Sequence, residues 1–231
     1  MTTIYLVPCM LADDVLETIP AYVLDAVKKC QVIFAENERT ARRFLKAMDK
    51  SIVIDDFEWF AIHKAEEEQL KHFRQKIKEQ KNIAIISEAG CPGVADPGQV
   101  LVAAAQEMKC TIKPLVGPSS ILLALMASGM NGQQFEFIGY LPIDNAARIK
   151  KLKELEISSA KNNSTKIFIE TPYRNNQLLE SILQNCNGNT RLCVASNITA
   201  LNEQIITMRI SDWKTKKSEL HKQPVIFLLQ A

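Results

Sequence analysis

Two kinds of run alternate along this chain. Short apolar blocks rich in isoleucine and valine are separated by longer stretches in which apolar residues recur at helical spacing among charges. The apolar blocks predict strands at Thr3–Val7, Val32–Ala35, Ile52–Ile54, Ile83–Ile86 and Thr111–Val116. The periodic stretches predict helices at Pro20–Lys29, Arg39–Met48, Ala61–Gln80 and Gln99–Met108. In the third of these, Ile62, Leu70, Phe73 and Ile77 make one apolar stripe. Strands separated by helices imply a parallel, doubly wound sheet, because each crossover between parallel strands needs a helix-length connection.

Gly117-Pro118 interrupts this rhythm, with Ser119 or Ser120 placed to cap an apolar helix over Ile121–Ala127. Strands follow at Phe135–Tyr140, Lys166–Glu170, Arg191–Ala195, Gln204–Arg209 and Val225–Gln230, with helices at Ile149–Leu155 and Asn175–Gln184. The later strands lie close together, which argues for a mixed sheet. The expected architecture is α/β in two domains, residues 1–116 and 117–231, with a ligand cleft between the two sheets.

The sharpest local signal follows the strand Ile83–Ile86. Gly90, Gly93 and Gly98 alternate with Pro92 and Pro97, a density of turn-formers that no strand or helix interior tolerates. Asp96-Pro97 predicts a helix start, with Asp96 as N-cap and Pro97 at the first helical position. Loops at the carboxyl ends of strands bind ligands in α/β proteins, and Gly90, just past the strand, is the expected point of close approach. The loop carries neither G-x-G-x-x-G nor G-x-x-x-x-G-K-[ST], so a bound cofactor is held without those devices.

Composition narrows the class. Hydrophobic residues make up 47% of the 231 positions and charged residues 23%, ample for a core under an ordinary polar surface. Six cysteines show no C-x-x-C pair, which fits a reducing compartment. His63, His72 and His221 are not spaced as metal ligands, so no metal site is expected. With no signal pattern and no bilayer-length apolar run, a soluble cytoplasmic protein is expected. From Ser119 onward there are 13 Lys+Arg against 9 Asp+Glu, and before it 15 against 17. That mild basicity falls short of a nucleic-acid stripe, and Arg148, Lys150, Lys151 and Lys153 read first as a solvated helix face.

Small or polar residues end several strands: Pro8-Cys9-Met10, Ser87–Asp96, Gly117–Ser120, Glu170-Thr171-Pro172 and Asn197-Ile198-Thr199. No histidine stands near them, so a Ser-His-Asp set is not formed. The pattern suits chemistry carried by a bound cofactor that the protein positions.

SEAGCPGVADPG, PLVGPSSILLALMASGM, FEFIGYLP and IFIETPYRNNQLLESI, in that order, resemble the tetrapyrrole methylase superfamily of S-adenosylmethionine (SAM) methyltransferases. ENERTARRFL, from Glu36, is similar to the E-D-T-R segment of its ribosomal RNA branch, which methylates ribose 2′-hydroxyls of small-subunit RNA. The resemblance runs from about Ile4 to Leu229. It implies a two-domain homodimer with SAM in the interdomain cleft and small-subunit ribosomal RNA as the preferred partner. Carried onto matching positions, it assigns Pro8, Ala89, Gly90, Cys91, Val94, Ser119 and Ser120 to the cofactor. Glu170, Ile198, Pro224 and Val225 are assigned to it as well. A hydroxyl acceptor also needs a base. Glu88 and Glu36 are candidates, with Arg39 as a substrate or phosphate contact, although Glu36 and Arg39 equally serve to cap and charge a helix start.

The chain departs from that branch in three places. Val7-Pro8-Cys9-Met10-Leu11 replaces T-P-I-G-N-L, Glu36-Asn37-Glu38-Arg39 replaces E-D-T-R, and Ser196-Asn197-Ile198-Thr199-Ala200 replaces R-E-L-T-K. Lost basic groups are lost phosphate contacts. A tetrapyrrole or other small-molecule acceptor, and a non-catalytic relative binding SAM or RNA, therefore stay open beside the RNA enzyme.

Overall fold

Ten strands and eight α-helices are seen in the computed structural model, which describes residues 2–13, 15–62 and 66–231. His63 and the next two residues of the stretch expected as the third helix lie outside the described residues. Contacts divide the chain into Met1–Ser119 and Ser120–Ala231, three residues later than the boundary expected from Gly117-Pro118.

Unit 1 contains β1 (Thr3–Val7), α1 (Tyr22–Val27), β2 (Val32–Ala35), α2 (Glu38–Met48), β3 (Glu58–Ala61), α3 (Glu66–Lys78), β4 (Ile83–Ile86), α4 (Gln99–Glu107) and β5 (Thr111–Pro114). The strands form one parallel sheet in the order β3-β2-β4-β1-β5. Both faces are covered, which is why the central strands read as continuous apolar runs. Tyr5, Val7, Ile33, Ala35, Ala84 and Ile86 face a core with Val23, Val27, Phe44 and Leu45 of α1 and α2. Ile4, Phe34, Ile83 and Ile85 face the other way, onto Phe73, Leu101 and Ala105 of α3 and α4. Pro114, which has no N–H to donate, is tolerated because β5 is an edge strand.

One strand differs from expectation. Ile52–Ile54 is not a strand: Ile52 is buried as a core residue, and a single 3₁₀ turn covers Ile54–Asp56. The edge position belongs to Glu58–Ala61, whose half-buried Trp59 and Phe60 pair with Ile33 and Phe34. Ala61 is accordingly the end of this strand rather than the start of a helix.

Unit 2 contains α5 (Ser120–Ser128), β6 (Phe135–Tyr140), α6 (Asn145–Asn162), β7 (Thr165–Ile169), α7 (Asn175–Asn185), β8 (Arg191–Ser196), β9 (Gln204–Arg209), α8 (Ile210–Trp213) and β10 (Val225–Gln230). Its sheet has the order β6-β7-β10-β8-β9, with β6 and β7 parallel and the remaining pairs antiparallel. Leu152, Leu155, Leu178, Ile182 and Trp213 from α6, α7 and α8 pack on Phe168, Val194 and Phe227. α5 lies on the opposite face, where Thr207 of β9 donates its hydroxyl to Ser128 O at 2.8 Å. α6 is longer than expected: Asp144 caps it by accepting the Ala147 N–H at 2.8 Å, and Asn163 in the left-handed region ends it. Among the described residues no helix is long and apolar enough to cross a membrane.

Candidate active site

The loops that leave the carboxyl ends of unit 1's parallel strands hold most of the residues singled out from the sequence. Cys9, two residues past β1, and Gly90, four residues past β4, exchange two backbone hydrogen bonds. Cys9 N–H donates to Gly90 O at 2.9 Å and Gly90 N–H to Cys9 O at 3.1 Å. Gly90 sits at φ +73°, and an added Cβ would lie 3.2 Å from Leu11 Cδ2 and 3.5 Å from Pro118 O. Its close approach is thus to the protein's own chain, and both of its backbone polar groups are occupied. Ala89 and Cys91 on either side have backbone N–H groups with no partner among the described residues. Ala89 is exposed, as is Val94.

Asp96 does not cap a helix. α4 starts at Gln99 with Gly98 at its N-cap position and no side-chain cap. Asp96 instead ties the loop from within. Its Oδ1 accepts Gly93 N–H at 3.1 Å and Gly98 N–H at 2.6 Å, while Oδ2 accepts the hydroxyl of buried Ser87 at 2.7 Å. One carboxylate so gathers three donors spread over the loop, which the two prolines leave short of backbone partners.

The loop after β5 meets the loop after β1 at Gly117. A Cβ at that position would sit 2.2 Å from Pro8 Cβ and 2.3 Å from Pro8 Cγ. Only glycine allows buried Pro8 to lie there. Cys91 Sγ lies 3.5 Å from Pro118 O, and burial raises its pKa. Ser119 precedes α5 and Ser120 is its first residue, both half-buried.

Glu36 and Glu88 are brought together at the ends of β2 and β4, and Arg39 follows in the first turn of α2. Glu36 Oε2 accepts the backbone N–H of Glu88 at 2.9 Å. Glu88 Oε1 accepts from Asn37 Nδ2 at 3.2 Å and from the Thr40 hydroxyl at 3.4 Å. The cap of α2 is Asn37, whose Oδ1 accepts from Arg39 and Thr40 N–H, so neither Glu36 nor Arg39 serves as the cap. Glu88 and Arg39 are exposed. Beneath them the Cys9 thiol is pushed up to about 12, first by burial and then by the Glu36 and Glu88 carboxylates. It stays a neutral thiol, which removes it as a nucleophile. Sequence reading gave Asn37 and Thr40 no role and named Ser87 only as the start of a strand-end segment; the Asn37 N-cap pattern was the available signal.

In unit 2, Glu170, Ile198, Pro224 and Val225 gather where β7 and β8 end and β10 begins, at one end of the three interior strands. Ile169 pairs with Ile226 and Ser196 with Val225, and Asn197 N–H donates to Pro224 O at 3.0 Å. The Glu170 side chain is 1% exposed, and its Oε1 accepts from Thr171 N–H at 2.7 Å and from Arg174 Nη2 at 2.6 Å. Ile198 is buried between Asn197 and Thr199, both in the left-handed region at φ +52° and +72°. Val225 is buried too, and Pro224 exposed.

Comparison with known proteins shows the family of the chain. A family model described as Tetrapyrrole (Corrin/Porphyrin) Methylases matches residues 15–213. Ribosomal RNA small subunit methyltransferase I of Vibrio cholerae serotype O1 is 29% identical over 230 residues, covering 98% of this chain and 76% of that protein. The protein of that name from Micromonospora olivasterospora is 30% identical over 210 residues, covering 91% of this chain and 64% of its own length. The chain thus spans about two thirds to three quarters of these relatives. The solved structure of the methyltransferase CobJ superposes with a TM-score of 0.65 over 99% of this chain and 93% of that one, at 17% identity, a likeness of fold.

Proposed function

This chain belongs to the tetrapyrrole (corrin/porphyrin) methylase family, and on that premise we propose that it transfers the methyl group of SAM to a ribose 2′-hydroxyl of small-subunit ribosomal RNA. The observation that carries the RNA acceptor is the similarity to ribosomal RNA methyltransferases across 98% of the chain. The donor set after β4 fits SAM. Ala89 and Cys91 offer unpartnered N–H groups suited to a carboxylate, beside the exposed apolar side chain of Val94.

When bound, SAM supplies a methyl group on a positively charged sulfur, ready for in-line displacement. The chain's own residues align the acceptor and take its proton. Glu88, steadied by Asn37 and Thr40, is the proposed base, Glu36 fixes the backbone that carries it, and Arg39 meets a phosphate. Pro8 and Gly90 shape the floor of this loop cluster, while Ser119 and Ser120 contribute hydroxyls at the start of α5. Within unit 2 the family pattern assigns Glu170, Ile198, Pro224 and Val225 to the cofactor, and their gathering at one end of neighbouring strands supports this. We further read the protein as a cytoplasmic homodimer, a reading supported by Leu122 and Met126, 51% and 77% exposed on α5.

The test is transfer of labelled methyl from SAM to small ribosomal subunits that lack the modification. Label is expected in RNA at a phosphodiester resistant to alkali, because a 2′-O-methyl group blocks the attack that cleaves it. Label on a base, or none in RNA, overturns the proposal.

A further inference from the structure

Two adjoining depressions in unit 2 include none of the residues assigned above to the cofactor or the acceptor, although the smaller borders them at Ser196, Asn197 and Gln223. The smaller, about 300 Å³, has an apolar floor of Val194, Ile206, Trp213 and Leu220. Trp213 is locked in place, its Nε1–H donating to Leu192 O at 2.9 Å. Amides line the walls. Asn197 Nδ2 donates to Gln223 Oε1 at 2.9 Å, and Gln223 Nε2 donates to Glu219 O at 2.8 Å. Asn202 and Gln204 complete the rim, and their side-chain amides make no hydrogen bond among the described residues.

Lysines close the mouth. Lys216 and Lys217 line this cavity and also a second, more open one of about 630 Å³, which runs along Leu179 and Leu183 of α7 to Lys214. Lys216 Nζ stands 5.5 Å from the Trp213 ring centroid. None of the three lysines has an ion-pair partner among the described residues. Two acids line these depressions. Glu219 accepts from Asn176 Nδ2 at 2.6 Å and His221 N–H at 2.8 Å and is held ionised by them. Glu180 of α7 lies in the larger one, where its Oε1 accepts from Gln184 Nε2 at 3.0 Å.

We propose that the smaller cavity receives one nucleotide of a single-stranded RNA segment, whose backbone continues past Lys214 in the larger groove. An apolar floor with free amide donors and acceptors on its rim suits a base, since an amide can meet donor and acceptor edges together. Unpaired lysines shared by two neighbouring depressions suit successive phosphates rather than one isolated anion. That the strand is ribosomal RNA rests on the function proposed above; the nucleotide preference of the cavity does not.

The experiment uses the full chain and calorimetric titration with each ribonucleoside 5′-monophosphate, inorganic phosphate, SAM, and a mixed-sequence single-stranded oligoribonucleotide. Nucleotides are expected to bind at least tenfold tighter than phosphate, with SAM present or absent. Replacing Lys214, Lys216 and Lys217 together by Gln should weaken the oligonucleotide at least tenfold. It should also flatten the salt dependence by about 0.7 per lysine in the log–log slope. The Asn202→Ala/Gln204→Ala variant should reorder preference among the mononucleotides and leave that slope unchanged. All variants should keep wild-type SAM affinity and circular dichroism. Nucleotide binding no tighter than phosphate, displacement of nucleotide by SAM, or a lysine variant with wild-type RNA affinity overturns the proposal. If the oligonucleotide behaves as expected while small-subunit RNA accepts no methyl group, the function assigned above fails and this site stands.

Discussion

Removing the carboxylate of Asp96 should loosen the loop after β4 far more than changing it to an amide. In Asp96→Ala, Gly93 N–H, Gly98 N–H and the Ser87 hydroxyl lose their common acceptor. A hydrogen bond to a charged group contributes about 1.5–3 kcal/mol when buried. This site is half-buried, so about 1 kcal/mol per bond is the appropriate scale and the loss is ~3 kcal/mol. Asp96→Asn keeps Oδ1 for both backbone donors. The Ser87 hydroxyl can then turn to Ala89 O, 3.1 Å away, which limits the loss to ~1 kcal/mol. The chain has two tryptophans, Trp59 in unit 1 and Trp213 in unit 2. In a Trp213→Phe background, urea unfolding followed by fluorescence therefore reports unit 1 alone. With a slope of about 2 kcal/mol per molar urea, the midpoint should fall by roughly 1.5 M for Asp96→Ala and roughly 0.5 M for Asp96→Asn. Amide exchange at Gly93 and Gly98 should accelerate in the first variant only. Equal midpoints for the two variants, or unchanged exchange in Asp96→Ala, would refute the account of Asp96 as the tie within this loop.

Gly117→Ala should cost about 1–3 kcal/mol by forcing a methyl into Pro8 and should weaken SAM binding; a thermal melt identical to wild type would mean the two loops part freely. Glu88→Gln should lower single-turnover methyl transfer by about 10²–10⁴-fold with SAM affinity retained, and a variant of wild-type rate would return the role of base to another group. Arg174→Ala removes the cation beside the buried Glu170 carboxylate and should cost about 3 kcal/mol, most of which Glu170→Gln should restore in the double variant, as measured by denaturant unfolding. Stability should fall steeply above the ordinary thiol value of 9.0, because Cys9, Cys30 and Cys186 are pushed up to about 12 chiefly by burial. Between those values the native state keeps protons that the unfolded chain has lost, so each thiol removes about 1.4 kcal/mol per pH unit. Replacing Cys30 by Ala should make that decline shallower.

The interior strands were legible because they are buried on both faces: Ile83–Ile86 is fully apolar, and its ends are marked by polar residues. The half-exposed edge strand Glu58–Ala61 carries no such signature, and the more hydrophobic Ile52–Ile54 competed with it. Helix α6 was foreshortened because its ends are polar and its cap, Asp144, lies beyond the apolar stripe. At the candidate site the glycine-and-proline loop was conspicuous by composition, but its internal wiring was not. Whether Asp96 serves a helix or a loop depends on which N–H groups the fold brings within 3 Å, and that is a three-dimensional fact. The Pro8–Gly117 contact joins residues more than a hundred positions apart, and no local pattern announces it. Glu36 and Glu88 were singled out separately as strand-end acids; that the backbone of one rests on the carboxylate of the other follows only from β2 lying beside β4.

Strand β10 lies between β7 and β8, so residues 225–230 occupy the middle of unit 2's sheet rather than its margin. During synthesis unit 1 has all five of its strands once residue 114 has emerged, whereas unit 2 waits for a strand made after every one of its neighbours. Until then β7 and β8 present open edges and uncovered apolar side chains to solvent. Nascent chains stalled before residue 225 should accordingly be clients of chaperones through unit 2 and not through unit 1.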